Sequence, residues 1–156
     1  RSLAPLGRDN LALPERMDAL DQAVAEIDGA VLLVAHSAGV LMVAHWAARY
    51  RWPIKGALLA APPDLNAQWP AHYPSPASLA AQGWSPLPTT ALPFPSIVAA
   101  SSNDHLASYA AVSELAHRWG SELVNLGAVG HLNPASGFGP WPLAEALIRR
   151  LDAETL

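Results

Sequence analysis

The chain has 156 residues, of which 51% are hydrophobic and 14% charged, with a formal net charge of −4 and no cysteine. This length and composition fit one domain with one core, and the low charge argues against a disordered chain. No Lys/Arg cluster predicts a nucleic-acid partner, no apolar run approaches the roughly 20 residues that span a bilayer, and the absence of cysteine excludes disulfides and thiolate metal sites.

The first element in chain order is a predicted helix. Leu13 and Pro14 open it, since proline suits the first helical turn. One apolar stripe then follows at spacings of three and four, formed by Met17, Leu20, Val24 and Ile27. The residues before Leu13 show no period and no signal peptide, so we expect a loop there.

The stretch from residue 31 to residue 48 predicts a buried strand, a tight turn and a buried helix. The apolar run 31–35 stops at His36 and Ser37, and a second apolar run begins three residues later. Small residues, Ala35 and Gly39, lie two positions before and after the serine. This small-x-Ser-x-small pattern is that of a nucleophile elbow, although the usual pattern has glycine at the first small position.

The second half alternates strands and helices. We expect strands at 56–61, 95–100 and 122–126, and helices at about 106–119 and 141–148. Unbroken apolar strands that alternate with helices predict a three-layer α/β/α sandwich with a mostly parallel sheet. Residues 62–92 interrupt this pattern with seven prolines and no sustained period. We interpret them as a Pro-rich insertion in a single domain that extends over 1–156.

Three predicted strands are each followed by one polar group with catalytic potential: Ser37, Asp104 and His131. Sites in parallel α/β sheets form at the carboxyl ends of the strands, so we expect these groups at one edge. A serine needs an imidazole to take its proton and a carboxylate to orient that imidazole. The alternatives are helix caps at Ser37 and Asp104, and Asp64 as the acid.

Other residues are candidates for supporting roles. The backbone N–H of Ala38, at a helix N-terminus, is the expected oxyanion donor. His36 and His105 flank the serine and the aspartate, so we expect them to line the site. The insertion offers Trp69, His72, Tyr73 and Trp84 as substrate-binding candidates. The alternative is that its aromatic residues pin the insertion to the core. His45 and His117 lie within predicted helices and are interpreted as packing or surface residues.

Four stretches carry a family resemblance: residues 34–39 (VAHSAG), 101–104 (SSND), 119–124 (WGSELV) and 130–141 (GHLNPASGFGPW). They resemble the small serine hydrolases of the α/β-hydrolase superfamily, the family of predicted esterases that contains the retinoblastoma-binding serine hydrolase. The resemblance runs from about residue 13 to residue 147. It implies Ser37 as nucleophile, Asp104 as acid and His131 as base. The family's first strand and the loop after it, which usually contribute a second oxyanion donor, have no counterpart in this chain.

These observations predict a cytoplasmic serine hydrolase that cleaves small carboxylic esters through an acyl-enzyme. We expect no cofactor, no metal, and neither a nucleic acid nor a membrane as partner. The shortness of the insertion favours short acyl groups. Two alternatives stay open: a non-catalytic interaction module on the same fold, and an acyltransferase that uses the same three residues.

Overall fold

The computed structural model describes residues 1–4, 7 and 9–153. The elements follow one another as α1 (Leu13–Ala25), β1 (Val31–His36), α2 (Ala38–Arg49), β2 (Ile54–Ala60), α3 (Pro76–Ala81), β3 (Ser96–Ala100), α4 (Tyr109–Trp119), β4 (Glu122–Asn125), a 3-10 turn (Pro134–Ser136) and α5 (Pro142–Ala153). Among the helices of these residues, none is long and apolar enough to cross a bilayer.

The four strands form one parallel sheet in the order β1-β2-β3-β4. Side chains alternate between its two faces, as the pleat requires. Helices α1, α2 and α4 cover the face that carries Leu33, Leu59 and Val98, while α5 packs against Leu58 and Ile97 on the other. This is the predicted three-layer arrangement, and the expected α/β fold is confirmed.

The strand register brings the carboxyl ends of the sheet together. His36 is paired with Ala60, Ala60 with Ala99, and Ala100 with Asn125. The loops that follow β1, β3 and β4 therefore start at the same edge. The sequence predicts candidate catalytic groups in all three of these loops.

Several elements differ from the predictions in their bounds, and one short helix was not predicted. Helix α4 begins at Tyr109 instead of about residue 106, because the hydroxyl of Ser108 accepts a hydrogen bond from Ala111 N and caps the helix there. Helix α5 continues to Ala153. The insertion contains a short helix, α3, whose cap is the hydroxyl of Ser75. Six residues are too few for a visible hydrophobic period, so the pattern did not predict α3.

Hydrogen bonds to the core fix the insertion near its middle and at its end. The indole nitrogen of Trp84 donates to Leu11 O at 2.7 Å, and that of Trp119 donates to Pro88 O at 2.9 Å. Leu92 N in turn donates to Trp119 O at 3.0 Å. The insertion is therefore held against α1 on one side and against the end of α4 on the other.

Close packing of α5 on the sheet leaves no room for a side chain at Gly56. A Cβ there would lie 3.1 Å from Leu151 Cδ2 and 3.2 Å from Leu32 Cδ2. We expect Gly56→Val to lower the free energy of unfolding by about 1–3 kcal/mol, the usual cost of overpacking. Urea denaturation would measure this. A matched control is Gly139→Val, since a Cβ at Gly139 meets nothing within 4 Å. Equal stability of the two variants would contradict the packing account.

Candidate active site

Ser37 occupies the sharp turn between β1 and α2. Its backbone has φ 56° and ψ −126°, a conformation that costs on the order of 1–3 kcal/mol for a non-glycine residue. The turn is held by a hydrogen bond from Ser37 N to Ala60 O at 3.0 Å, across to the neighbouring strand. The serine side chain makes no capping hydrogen bond to α2. The geometry is that of the predicted elbow and differs from the alternative of a helix cap.

The hydroxyl of Ser37 instead meets His131. Ser37 Oγ lies 2.8 Å from His131 Nε2, and His131 Nδ1 lies 2.9 Å from Asp104 Oδ2. A carboxylate only accepts, so the Nδ1–H donates to Asp104 and leaves Nε2 free to accept the serine proton. The side chains of His131 and Asp104 are 4% and 3% exposed. The structure thus brings together the three groups that the sequence singled out, with His131 and Asp104 shielded from water and Ser37 half-buried.

Hydrogen bonds from backbone N–H groups to side-chain oxygens fix Asp104 and join the loop after β3 to the loop after β4. Asp104 Oδ1 accepts from Leu106 N at 2.9 Å, which fixes the carboxylate. Asn103 Oδ1 accepts from Gly130 N at 2.6 Å and so ties the acid loop to the base loop. Gly130 has φ 58°, and a Cβ there would lie 2.5 Å from the Ser136 hydroxyl. Only glycine fits this position.

Asn103 and Ser136 are supporting residues that the sequence did not identify. Ser136 Oγ accepts from His131 N at 3.1 Å and so fixes one side of the base's backbone. Both residues lie inside the stretches that carry the family resemblance. Their spacing alone gives no hint of these bonds, because the partner of Asn103 lies 27 residues away.

Two further histidines, His36 and His105, lie beside His131. His36 Nε2–H donates to His131 O at 2.8 Å, and the two ring centres are 5.0 Å apart. The ring of His105 is 5.9 Å from that of His131. His105 is exposed, and its Nε2 is 3.1 Å from the hydroxyl of Tyr73, which belongs to the insertion. The insertion therefore reaches the edge of the triad through Tyr73.

The two tryptophans predicted as substrate-binding residues occupy different places. Trp69 is half-buried, and its indole N–H donates to both Asp64 O and Leu106 O. Its ring also contacts Tyr73 edge-on. Trp84 is only 3% exposed and belongs to the core against α1, so it pins the insertion, which was the alternative expectation. Its burial leaves almost no surface for a substrate.

The remaining predicted groups are placed as follows. Ala38 is exposed and is the first residue of α2, so its amide lies at the positive end of the helix dipole. Asp64, the rival acid, caps its own turn through a bond from Asn66 N. Among the described residues, no group of three or more His, Asp or Glu side chains is arranged to hold a metal ion.

Burial lowers the pKa of two histidines. Desolvation is the main cause at His36, with the charge of His131 adding to it, and also at His45, where Arg49 adds to it. Their pKa values in the folded state therefore lie below 6.5, and the unfolded chain binds more protons below pH 7. We expect stability to be fully present above pH 6.5 and to fall as the pH drops through the folded-state pKa values.

Urea denaturation at pH 7.5 and pH 5.0 would measure this loss. The double variant His36→Gln/His45→Gln keeps a side-chain N–H at both sites and cannot titrate. It should lose less stability than the parent between the two pH values. An equal loss in both proteins would show that the proton uptake responsible occurs elsewhere.

Comparisons with known proteins identify the family and the fold of the chain. A family model described as "Serine hydrolase" matches residues 8–150. A YdeN-like hydrolase from Pectobacterium atrosepticum has 28% identity and a TM-score of 0.71, over 90% of this chain and 68% of its own. The ydeN gene product of B. subtilis has 16% identity and a TM-score of 0.71, over 91% and 76%.

A Bacillus cereus carboxylesterase shares the fold at 19% identity and a TM-score of 0.57, over 98% of this chain and 66% of its own. No curated protein matches the chain. The family match covers most of the chain and includes the elbow, the acid loop and the base loop. The chain therefore belongs to the serine hydrolase family and has the α/β-hydrolase fold.

Proposed function

We propose that this enzyme hydrolyses small carboxylic esters through an acyl-enzyme formed on Ser37. The observation that carries the proposal is the unbroken chain of hydrogen bonds from Ser37 Oγ through His131 to Asp104, at a strained elbow. The names of two structural relatives, a carboxylesterase and a monoacylglycerol lipase, support the choice of an ester as substrate.

In the acylation step, Ser37 Oγ attacks the ester carbonyl while His131 Nε2 takes the hydroxyl proton. The imidazolium that forms is stabilised by Asp104, whose Oδ2 already accepts the Nδ1 proton. His131 then returns its proton to the departing alkoxide, which leaves as an alcohol. Burial of the His131–Asp104 pair strengthens this stabilisation, because little water competes for the charges.

The negative charge on the carbonyl oxygen needs a donor at the same edge. The Ala38 amide, next to the nucleophile and at the N-terminus of α2, is the donor we assign. One such donor is typically worth about 100- to 1,000-fold in rate. Water then attacks the acyl-enzyme while His131 takes its proton. His131 returns that proton to Ser37 Oγ, and the carboxylic acid is released.

We expect Ser37→Ala to abolish both ester hydrolysis and labelling by a fluorophosphonate probe. Loss of the nucleophile should lower kcat on p-nitrophenyl acetate by about 1,000-fold or more. The release of p-nitrophenol would measure hydrolysis, and in-gel fluorescence would measure labelling by the probe. Ser113→Ala, on α4, is the matched control and should keep both activities.

Two results would decide against the proposal. If a folded Ser37→Ala protein hydrolysed the ester at the parent rate, Ser37 would not be the nucleophile. A parent protein that is neither labelled nor active would favour the non-catalytic alternative. If an added alcohol yields a new ester faster than water yields the acid, the acyl-enzyme stands and the acceptor is revised.

A further inference from the structure

A cavity of about 700 Å³ lies between the insertion and helix α4. Its walls come from Pro62 and Pro63 after β2, from Leu87 of the insertion, and from Ala111 and Leu115 of α4. The volume falls within the range of small-molecule sites. None of the three triad side chains lines it, so the cavity is a separate feature from the site described above.

Two hydrogen bonds fix the insertion relative to the segment that carries α4. Asp64 N donates to Leu106 O at 3.0 Å where the loops after β2 and β3 meet. The indole of Trp119 on α4 donates to Pro88 O of the insertion at 2.9 Å. The cavity is therefore formed before any ligand arrives, which lowers the cost of binding.

The inner wall of the cavity lies close to the nucleophile. Ser37 N is hydrogen-bonded to Ala60 O, and Pro62 follows Ala60 by two residues. With consecutive Cα atoms about 3.8 Å apart, Pro62 Cα is at most about 8 Å from Ala60 Cα. Pro62 Cα therefore lies at most about 13 Å from Ser37 N. The lining residue Ala107 is likewise three residues from Asp104.

The lining favours an uncharged, apolar occupant. The walls named above present carbon, and the charged residues of the lining are Asp64, Glu114 and Arg118. Arg118 Nε pairs with Glu114 Oε1 at 2.8 Å and both side chains are more than half exposed, so this guanidinium is already matched by a carboxylate. The Asp64 carboxylate would repel an anionic occupant. Burying an ionised ligand against proline and leucine side chains would be costly, whereas each buried methylene contributes about 0.8 kcal/mol.

We propose that this cavity binds the acyl chain of the substrate, and that the enzyme prefers medium-length chains of roughly six to ten carbons. This assignment rests on the proposed function. It replaces the expectation of short acyl groups, which was based only on the length of the insertion. The insertion is short, but it forms one wall of the cavity instead of filling the space.

Two neighbouring alanines on α4 provide the test. Ala111 lines the cavity, and Ala110 is exposed and does not. Parent enzyme should have a higher kcat/KM for p-nitrophenyl octanoate than for the acetate. Ala111→Trp should lower kcat/KM for the octanoate by about tenfold or more, as expected for a filled apolar subsite. It should leave the acetate within about twofold, and Ala110→Trp should change neither.

Equal effects of Ala111→Trp on both esters, or no effect on the octanoate, would overturn the assignment. Circular dichroism shows whether each variant is folded. If Ala111→Trp does not fold, Ala111→Leu, whose smaller side chain fills less of the cavity, tests the same loss of octanoate hydrolysis. Fluorophosphonate labelling of Ser37 separates this proposal from the proposed function. A protein that is labelled and cleaves the acetate without discriminating by chain length retains the function and loses the subsite.

A second, independent observation concerns His36. This residue precedes the nucleophile directly, and its Nε2–H donates to the backbone oxygen of the base, His131, at 2.8 Å. The backbone N–H of His131 is held by Ser136 Oγ. The peptide groups on either side of the base are therefore fixed, one of them by the elbow itself, although 95 residues separate His36 from His131.

We infer that His36 is a positioning residue that sets the distance between Ser37 Oγ and His131 Nε2. His36 acts on the reaction only through the backbone of His131, because its Nε2–H is already donated to His131 O. A displacement of about 1 Å between two catalytic groups lowers the rate on the order of 100-fold. The role should therefore appear in kcat and in the rate of probe labelling, with little change in KM.

His45 offers a matched control. Its Nε2–H donates to Trp84 O at 2.9 Å, so it makes the same kind of bond at the contact between α2 and the insertion. We expect His36→Phe to lower kcat on p-nitrophenyl acetate by about tenfold or more at unchanged KM. His36→Gln, which keeps a side-chain N–H, should recover most of it. His45→Phe should lower thermal stability and keep kcat.

Equal kcat values for the two phenylalanine variants would overturn the role of His36. A glutamine variant as slow as His36→Phe would do the same, because the donated hydrogen bond would then not be the cause. Thermal melts of all variants show whether each remains folded at the assay temperature.

Discussion

The strained turn at Ser37 is the constraint on which the active site depends. A residue with φ 56° and ψ −126° is stable only where its surroundings hold it. Here the hydrogen bond from Ser37 N to Ala60 O and the packed helix α2 do so. The turn lifts the hydroxyl above the carboxyl edge of the sheet. It also places the Ala38 amide next to that hydroxyl, so one local conformation positions both the proposed nucleophile and the proposed oxyanion donor.

The parallel sheet brings the partners of Ser37 to the same edge. Because the strands are in register, the loops after β1, β3 and β4 begin at one level. This topology brings the three loops near one another, but further hydrogen bonds are needed to bring their side chains within bonding distance. Asn103 ties the acid loop to Gly130, and Ser136 and His36 fix the backbone of His131. These neutral hydrogen bonds set the geometry without adding charge beside the buried His131–Asp104 pair.

The insertion contributes both rigidity and space. Its indole and backbone hydrogen bonds to the core, at Trp84 and Pro88, hold it in one position. Tyr73 extends from it to His105 beside the triad. Its proline-rich chain cannot pack as a regular layer, since prolines lack the backbone donor that helices and sheets need. The space left against α4 is the cavity that we assign to the acyl chain.

The sequence by itself determined the fold class, the elbow and the three groups at the strand ends, because hydrophobic period and local turn chemistry are short-range properties. Only the tertiary structure decided what depends on contacts between distant segments. Such contacts made Trp84 a core residue, and gave Asn103 and His36 partners in other loops. They also left a cavity beside α4. Distances of this kind arise only when separate elements pack, so no local pattern in the sequence records them.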